Sequence, residues 1–127
     1  MSSRTPPLRV LVVDDHGPAA ESLATVLELT GFEARAANDG LAAVGLALDF
    51  RPDAAVLDLS LPGLDGFQVA RHFRDSPALG RTFLIGLSGR RIESHEAQAA
   101  GFDHYIVKPV DVAALIDLLR SLPSGSA

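Results

Sequence analysis

Val10-Leu11-Val12-Val13-Asp14-Asp15-His16 joins a short, β-branched apolar run to two adjacent carboxylates. The run is too apolar to leave one face wet, which fits a strand covered on both sides. The same punctuation recurs along the chain. Ala54-Ala55-Val56-Leu57 ends at Asp58, Phe83-Leu84-Ile85 ends near Gly86 with Ser88 just beyond, and Tyr105-Ile106-Val107 ends at Lys108-Pro109. A weaker fifth stretch, Glu33-Ala34-Arg35-Ala36, alternates and is expected at a sheet edge.

Helix-period segments lie between these strands. Ala20, Leu23, Ala24 and Leu27 keep 3–4 spacing, with Gly31 as a stop signal. Leu41, Val44, Gly45 and Leu48 follow the cap candidates Asn38 and Asp39, and Pro52 lies beyond them. Gly66, Val69, Ala70 and Phe73 form a third stripe, behind the turn residues Pro62, Gly63 and Asp65. A fourth segment, about residues 92–100, has a thin, mostly alanine stripe. Val112, Leu115, Ile116 and Leu119 form a fifth, with Asp111 as its cap. Five strands alternating with five helices predict an α/β doubly wound parallel sheet, because parallel strands need crossover connections. One domain over residues 8–122 is expected, with frayed tails at 1–7 and 123–127.

Composition narrows the function classes. The 127 residues are 47% hydrophobic and 21% charged, enough to bury a core and too apolar for disorder. Absence of cysteine excludes disulfide scaffolds, zinc fingers, iron–sulfur clusters and thiol catalysis. With no apolar run near membrane-spanning length and no signal-like start, a soluble, cytoplasmic protein is expected, without membrane insertion. A net charge of −5, with Arg90-Arg91 the one adjacent basic pair, argues against direct nucleic-acid binding. Lys108 is the sole lysine.

In doubly wound sheets the ligand site lies outside the carboxyl ends of the strands. That rule brings Asp14, Asp15, Asp58, Ser88 and Lys108 to one crevice. Carboxylates gathered there repel one another unless a cation intervenes, and a hard ion with few oxygen ligands points to Mg2+. A carboxylate can also act as nucleophile and form an aspartyl phosphate. The added oxygens then need an ammonium and a hydroxyl, which Lys108 and Ser88 supply. Taken singly, each feature is also ordinary turn or cap chemistry. The histidines 16, 72, 95 and 104 show no ligand spacing and are expected at the surface.

The ordered set Val-Leu-Val-Val-Asp-Asp-His, Val-Leu-Asp-Leu-Ser-Leu-Pro-Gly-Leu-Asp-Gly, Gly-Leu-Ser-Gly and Tyr-Ile-Val-Lys-Pro resembles the receiver domain of two-component response regulators. The resemblance spans about residues 8–122, and its last motif is also similar to receivers attached to hybrid histidine kinases. It implies a flavodoxin-like sheet of order 2-1-3-4-5. It implies that Asp58 is the phosphoacceptor, and that Asp14, Asp15, Asp58 and the Ser60 backbone carbonyl hold Mg2+. Ser88 and Tyr105 match the switch residues and Lys108 the phosphate-binding lysine, with a cis Lys108-Pro109 bond. The implied phosphodonor is a sensor histidine kinase or histidine phosphotransfer protein. The implied output surface is the face of the fourth helix, fifth strand and fifth helix. Such a domain signals and is not an enzyme beyond its own phosphorylation and dephosphorylation.

Three rival readings use similar parts, and each meets an obstacle in the residues. A nucleotide- or flavin-binding module would need a glycine-rich loop where Asp14-Asp15-His16-Gly17 stands. Gly86-Leu87-Ser88-Gly89-Arg90 falls one glycine short of a nucleophile elbow. A small phosphatase with an aspartate nucleophile would use a second carboxylate where Ser60 stands. A pseudo-receiver would bind partners without phosphorylation, and the complete residue set gives no reason to prefer it.

Overall fold

Valine and alanine runs that alternate between two helical layers fix the architecture. The structure is a computed structural model, and it describes residues 7–60, 65–89 and 94–122. The element order is β1 (Arg9–Val13), α1 (Gly17–Leu29), β2 (Glu33–Ala37), α2 (Gly40–Phe50), β3 (Ala54–Asp58), α3 (Gly66–Asp75), β4 (Phe83–Ser88), α4 (Ser94–Ala99), β5 (His104–Val107) and α5 (Val112–Arg120). All pairings are parallel and the strand order is β2-β1-β3-β4-β5. The sheet is therefore flavodoxin-like, as the sequence led one to expect.

Successive strand side chains point to opposite faces, and two cores result. Leu11, Val13, Ala55 and Leu57 pack with Ala43 and Ala47 of α2 and with Val69 and Phe73 of α3. Val10, Val12, Ala54 and Val56 pack with Ala20, Ala24 and Leu27 of α1 and with Leu115 and Leu119 of α5. Small residues on β3 let helices approach closely on both sides, and all five residues of that strand are buried.

The helix ends follow local chemistry. Asp39 and Asp111 accept from the amides of Ala42 and Ala114, so both expected caps are in place. Gly31 adopts φ 110 just past α1, the left-handed stop that glycine allows. Asp65 and Gln68 make a capping box on α3 that the sequence reading missed, although Asp-x-x-Gln is its signature.

The bounds of the fourth strand and helix refine the sequence reading, and one expectation, that of the fifth strand, needs correction. The apolar run of β4 stops at Ile85, yet the strand continues through Gly86 and Leu87 to Ser88. A Cβ on Gly86 would lie 3.3–3.4 Å from Leu59 and Phe102, so a small residue keeps this position packed where apolarity gives no signal. β5 is not covered on both faces; it is an edge strand, and Val107 is 41% exposed. The fourth helix is described from Ser94, so 92–93 lie outside the described residues. So do the Pro62 turn, Arg90-Arg91 and the expected tails except Pro7. No helix among the described residues is long and apolar enough to cross a membrane.

Candidate functional site

Parallel register delivers the strand ends to one edge of the sheet. Val13 pairs with Leu57, Asp58 with Leu87, and Ser88 with Val107. Backbone bonds carry this order past the strands: Asp14 donates to Ala37, Leu59 to Leu87, and Lys108 to the Ser88 carbonyl at 2.7 Å. The Lys108–Pro109 peptide is cis, as the resemblance implied.

Four charged side chains meet at this edge. The Lys108 ammonium donates to Asp58 Oδ2 at 2.8 Å and stands 4.0 Å from Asp14 Oδ2. One carboxylate oxygen from each of Asp14, Asp15 and Asp58 lies within 4.8 Å of the others. The Asp58 side chain is 4% exposed, against 13% for Asp14. Asp58 Oδ1 accepts the Ser60 amide at 2.9 Å, and Asp14 Oδ1 accepts the His16 amide at 3.0 Å.

Charge balance then decides what the cluster wants. Two like charges 4.8 Å apart repel by about 3 kcal/mol at an effective dielectric near 20. Burial, together with the neighbouring Asp58 charge, pushes the Asp14 carboxyl above its ordinary value, although the His16 amide works against this. The hydrogen bond to Asp58 holds Lys108 above its ordinary value, with burial acting the other way. One ammonium against three carboxylates leaves a cluster that favours a further cation.

The remaining expected residues surround this centre. Ser88 ends β4 and is buried at 4% exposure. Tyr105 on β5 is half-buried, pairs in register with Gly86, and packs against the core on the α3 and α4 side. Ser60 is exposed, two residues beyond Asp58. Histidines 16, 72, 95 and 104 are all exposed. His16 nevertheless has a role that spacing arguments overlooked: its Nδ1 accepts the Ala19 amide at 3.2 Å and caps α1. The His-Gly-Pro sequence, with proline in the first turn, was the available signal. Beside the carboxylates, between α1 and the segment leading into α5, runs a groove of about 530 Å3. Its apolar wall includes Leu23, Val26, Pro109, Val110 and Val112.

A profile for the response regulator receiver domain matches residues 10–120. The chain belongs to that family. Its relatives include the response regulator MprA of Mycobacterium sp. (strain KMS), 38% identical over 120 residues, covering 91% of this chain and 50% of MprA. The virulence sensor protein BvgS of Bordetella bronchiseptica is 36% identical over 127 residues, covering 94% of this chain and 10% of BvgS. The receiver domain thus spans half the length of one relative and a tenth of the other. Among solved structures, the chemotaxis response regulator CheY4 of Vibrio cholerae superposes with a TM-score of 0.83 at 26% identity, covering 91% of this chain and 98% of CheY4. The receiver domain of sensor histidine kinase PA1611 from Pseudomonas aeruginosa PAO1, with a magnesium ion coordinated in its active-site cleft, gives 0.79 at 28% identity, covering 91% and 96%. The receiver family is a signalling family, and rivals built on a phosphate loop or nucleophile elbow fall away with this membership.

Proposed function

We propose that this receiver domain, extending over residues 8–122, takes a phosphoryl group on Asp58 from a phosphohistidine and thereby alters a protein-binding surface. The observation that carries the reading is Asp58 itself. It is a nearly buried carboxylate with one oxygen on the Lys108 ammonium and the other on the Ser60 amide. Burial strips water from the nucleophile, while the two donors fix its orientation before reaction.

The donor set fits a hard divalent cation: three carboxylates converge, and among the described residues no nitrogen or sulfur ligand joins them. Asp14, Asp15 and Asp58, with the Ser60 carbonyl, would hold Mg2+. Bound there, Mg2+ would supply positive charge against the phosphoryl oxygens. Lys108 offers its ammonium to the same oxygens, as a point charge on a flexible stem. Ser88, at the end of the neighbouring strand, offers a hydroxyl. The apolar groove along α1 suits the histidine-bearing helix of a sensor kinase or phosphotransfer protein, since it opens beside Asp14 and Asp15. Such an exchange would take place in the cytoplasm.

The output follows from position. A phosphoryl group adds charge and strong acceptors, and a shift of Ser88 toward it would free space beside Tyr105. The α4, β5 and α5 face is therefore the proposed partner surface. The short α4 buries Ala97 as its one fully covered side chain among the described residues, so it is the easiest element to displace.

Phosphorylation with a small phosphodonor and Mg2+, followed by intact mass, tests the acceptor. Wild-type protein should gain one acid-labile phosphoryl group and Asp58→Asn none. Undiminished labelling of the variant would sink the assignment. Hydrogen exchange with and without beryllofluoride tests the output, and changes confined to the loops at Asp14 and Asp58 would overturn it.

A further inference from the structure

The pole where the strands begin carries charges that the carboxylate site does not use. Arg9 opens β1, Arg51 follows α2, and Arg81 precedes β4. With Pro52, Asp53 and Pro77 they line a pocket of about 340 Å3. Among the described residues, none of these three guanidiniums has a carboxylate within 4.0 Å. In a chain of net charge −5, three arginines at one pocket, without an ion pair among the described residues, are a local reversal of sign.

Part of this group serves the fold. Arg9 donates from Nε and Nη2 to the Arg51 carbonyl, at 3.2 and 3.0 Å, and Arg51 Nε donates to Leu48 at 3.3 Å. The bond to Leu48 caps a last-turn carbonyl of α2, and the Arg9 bonds tie β1 to the residue that follows the helix. A guanidinium has five N–H donors, so most remain uncommitted, and Arg81 spends none within the described residues.

The backbone supplies an independent observation. Arg51 holds φ 53 and ψ 63, the left-handed conformation that glycine adopts without strain and arginine does not. It is the one residue other than glycine with positive φ among those described. Glycine would close α2 without that strain, and the single bond to Leu48 leaves most of the Arg51 guanidinium free for a further use.

We propose that this pocket binds a compact anion of the diphosphate class. Guanidinium forks match phosphate oxygens, and Asp53 leaves two positive charges in excess, enough for a dianionic group but not for a lone carboxylate to be preferred. Asp53 itself is engaged, its Oδ2 accepting the Arg9 amide at 2.9 Å. The walls are set before any ligand arrives. Arg74 Nη1 fixes the carbonyls of Gly80 and Thr82 at 2.9 and 2.7 Å, and Thr82 Oγ1 donates to Pro52 at 3.3 Å. Such preorganisation lowers the ordering cost of binding. Pro77 and Ala78 form an apolar margin that a nucleoside attached to the diphosphate could cover.

The test titrates the full 127-residue chain with inorganic pyrophosphate, and in parallel with ADP, in metal-free buffer balanced with chloride. Amide NMR shifts are followed. Saturable shifts are expected at residues 9, 51–53 and 81–82. Tighter binding of ADP identifies a nucleotide source, and equal binding identifies the bare diphosphate. Arg51→Gly removes the guanidinium and the strain together, so it should fold with an unchanged or higher Tm and bind about tenfold more weakly. Arg81→Gln should weaken binding similarly. Shifts that never saturate, shifts centred on residues 14, 58 and 108, or unchanged affinity in both variants would each overturn the proposal.

Discussion

Gly66, at the start of α3, leaves no room for a side chain against Asp58: a Cβ there would stand 2.5 Å from the Asp58 carbonyl oxygen and 2.8 Å from Leu59 Cα. Both obstacles are backbone, so neither can swing aside. α3 therefore seats directly on the strand end that presents the central carboxylate.

Gly66→Ala should accordingly cost about 2 kcal/mol despite alanine's better helix propensity, because overpacking against backbone outweighs it. Chemical denaturation checks the cost. The displacement should also reach Asp58, seen as shifted amides at 58–60 in the folded variant. A variant as stable as wild type would show that α3 can move away freely.

Asp14→Asn should stabilise the metal-free protein at neutral pH. The Asp14 carboxyl lies above its ordinary 3.8 in the fold, so its proton is held more tightly there than in the unfolded chain. The stability this provides is full below 3.8 and is lost as pH rises through the raised folded value. Above that window the ionised group opposes folding. Asparagine keeps an acceptor for the His16 amide without the charge. Melting curves in chelator should show a gain of a few degrees at pH 7 that shrinks toward pH 3. A gain independent of pH would contradict this origin.

Lys108→Met should destabilise the metal-free protein by about 1–2 kcal/mol. Breaking a buried pair costs more than this, but Lys108 is 36% exposed and water screens part of the effect. The wild-type contribution is full below 10.5 and disappears as pH climbs through the raised folded value of Lys108. Divalent cation should restore much of the loss, since it supplies the missing positive charge. Thermal melts with and without Mg2+ measure both effects.

Arg74→Ala should loosen the start of β5 more than the carboxylate edge. The guanidinium donates to the Gly101, Gly80 and Thr82 carbonyls and pairs with Asp103 at 2.8 Å. Leaving these acceptors unmet costs about 2 kcal/mol. Hydrogen exchange should rise at residues 80–84 and 101–104. Protection unchanged there would show that the loops hold without it.

The sequence announced the strand ends because charge follows apolarity abruptly: Val13 then Asp14, Leu57 then Asp58, Val107 then Lys108. That contrast survives in any parallel sheet, since the strand is dry and its end is not. Within β4, Gly86 carries no apolar signal, and the reason for it, Phe102 pressing from the next crossover, is sixteen positions away. β5 misleads in the opposite sense, being apolar yet left partly exposed. Arg74 could not be told from Arg71 by its neighbours in sequence, because its partners come from two loops, one of them 27–29 positions away. Arg51 was equally silent, as nothing in its neighbours marks a left-handed backbone.

The placement of Lys108 beyond the last strand sets the order in which this molecule can mature. Asp58 and its ammonium are 50 positions apart, and the carboxylates all leave the ribosome before the lysine does. Until β5 docks beside β4, the three mutually repelling acids at this edge lack the ammonium that pairs with Asp58. The ion pair therefore comes into being with the fifth strand, and a spectroscopic probe of it would report the docking of that strand.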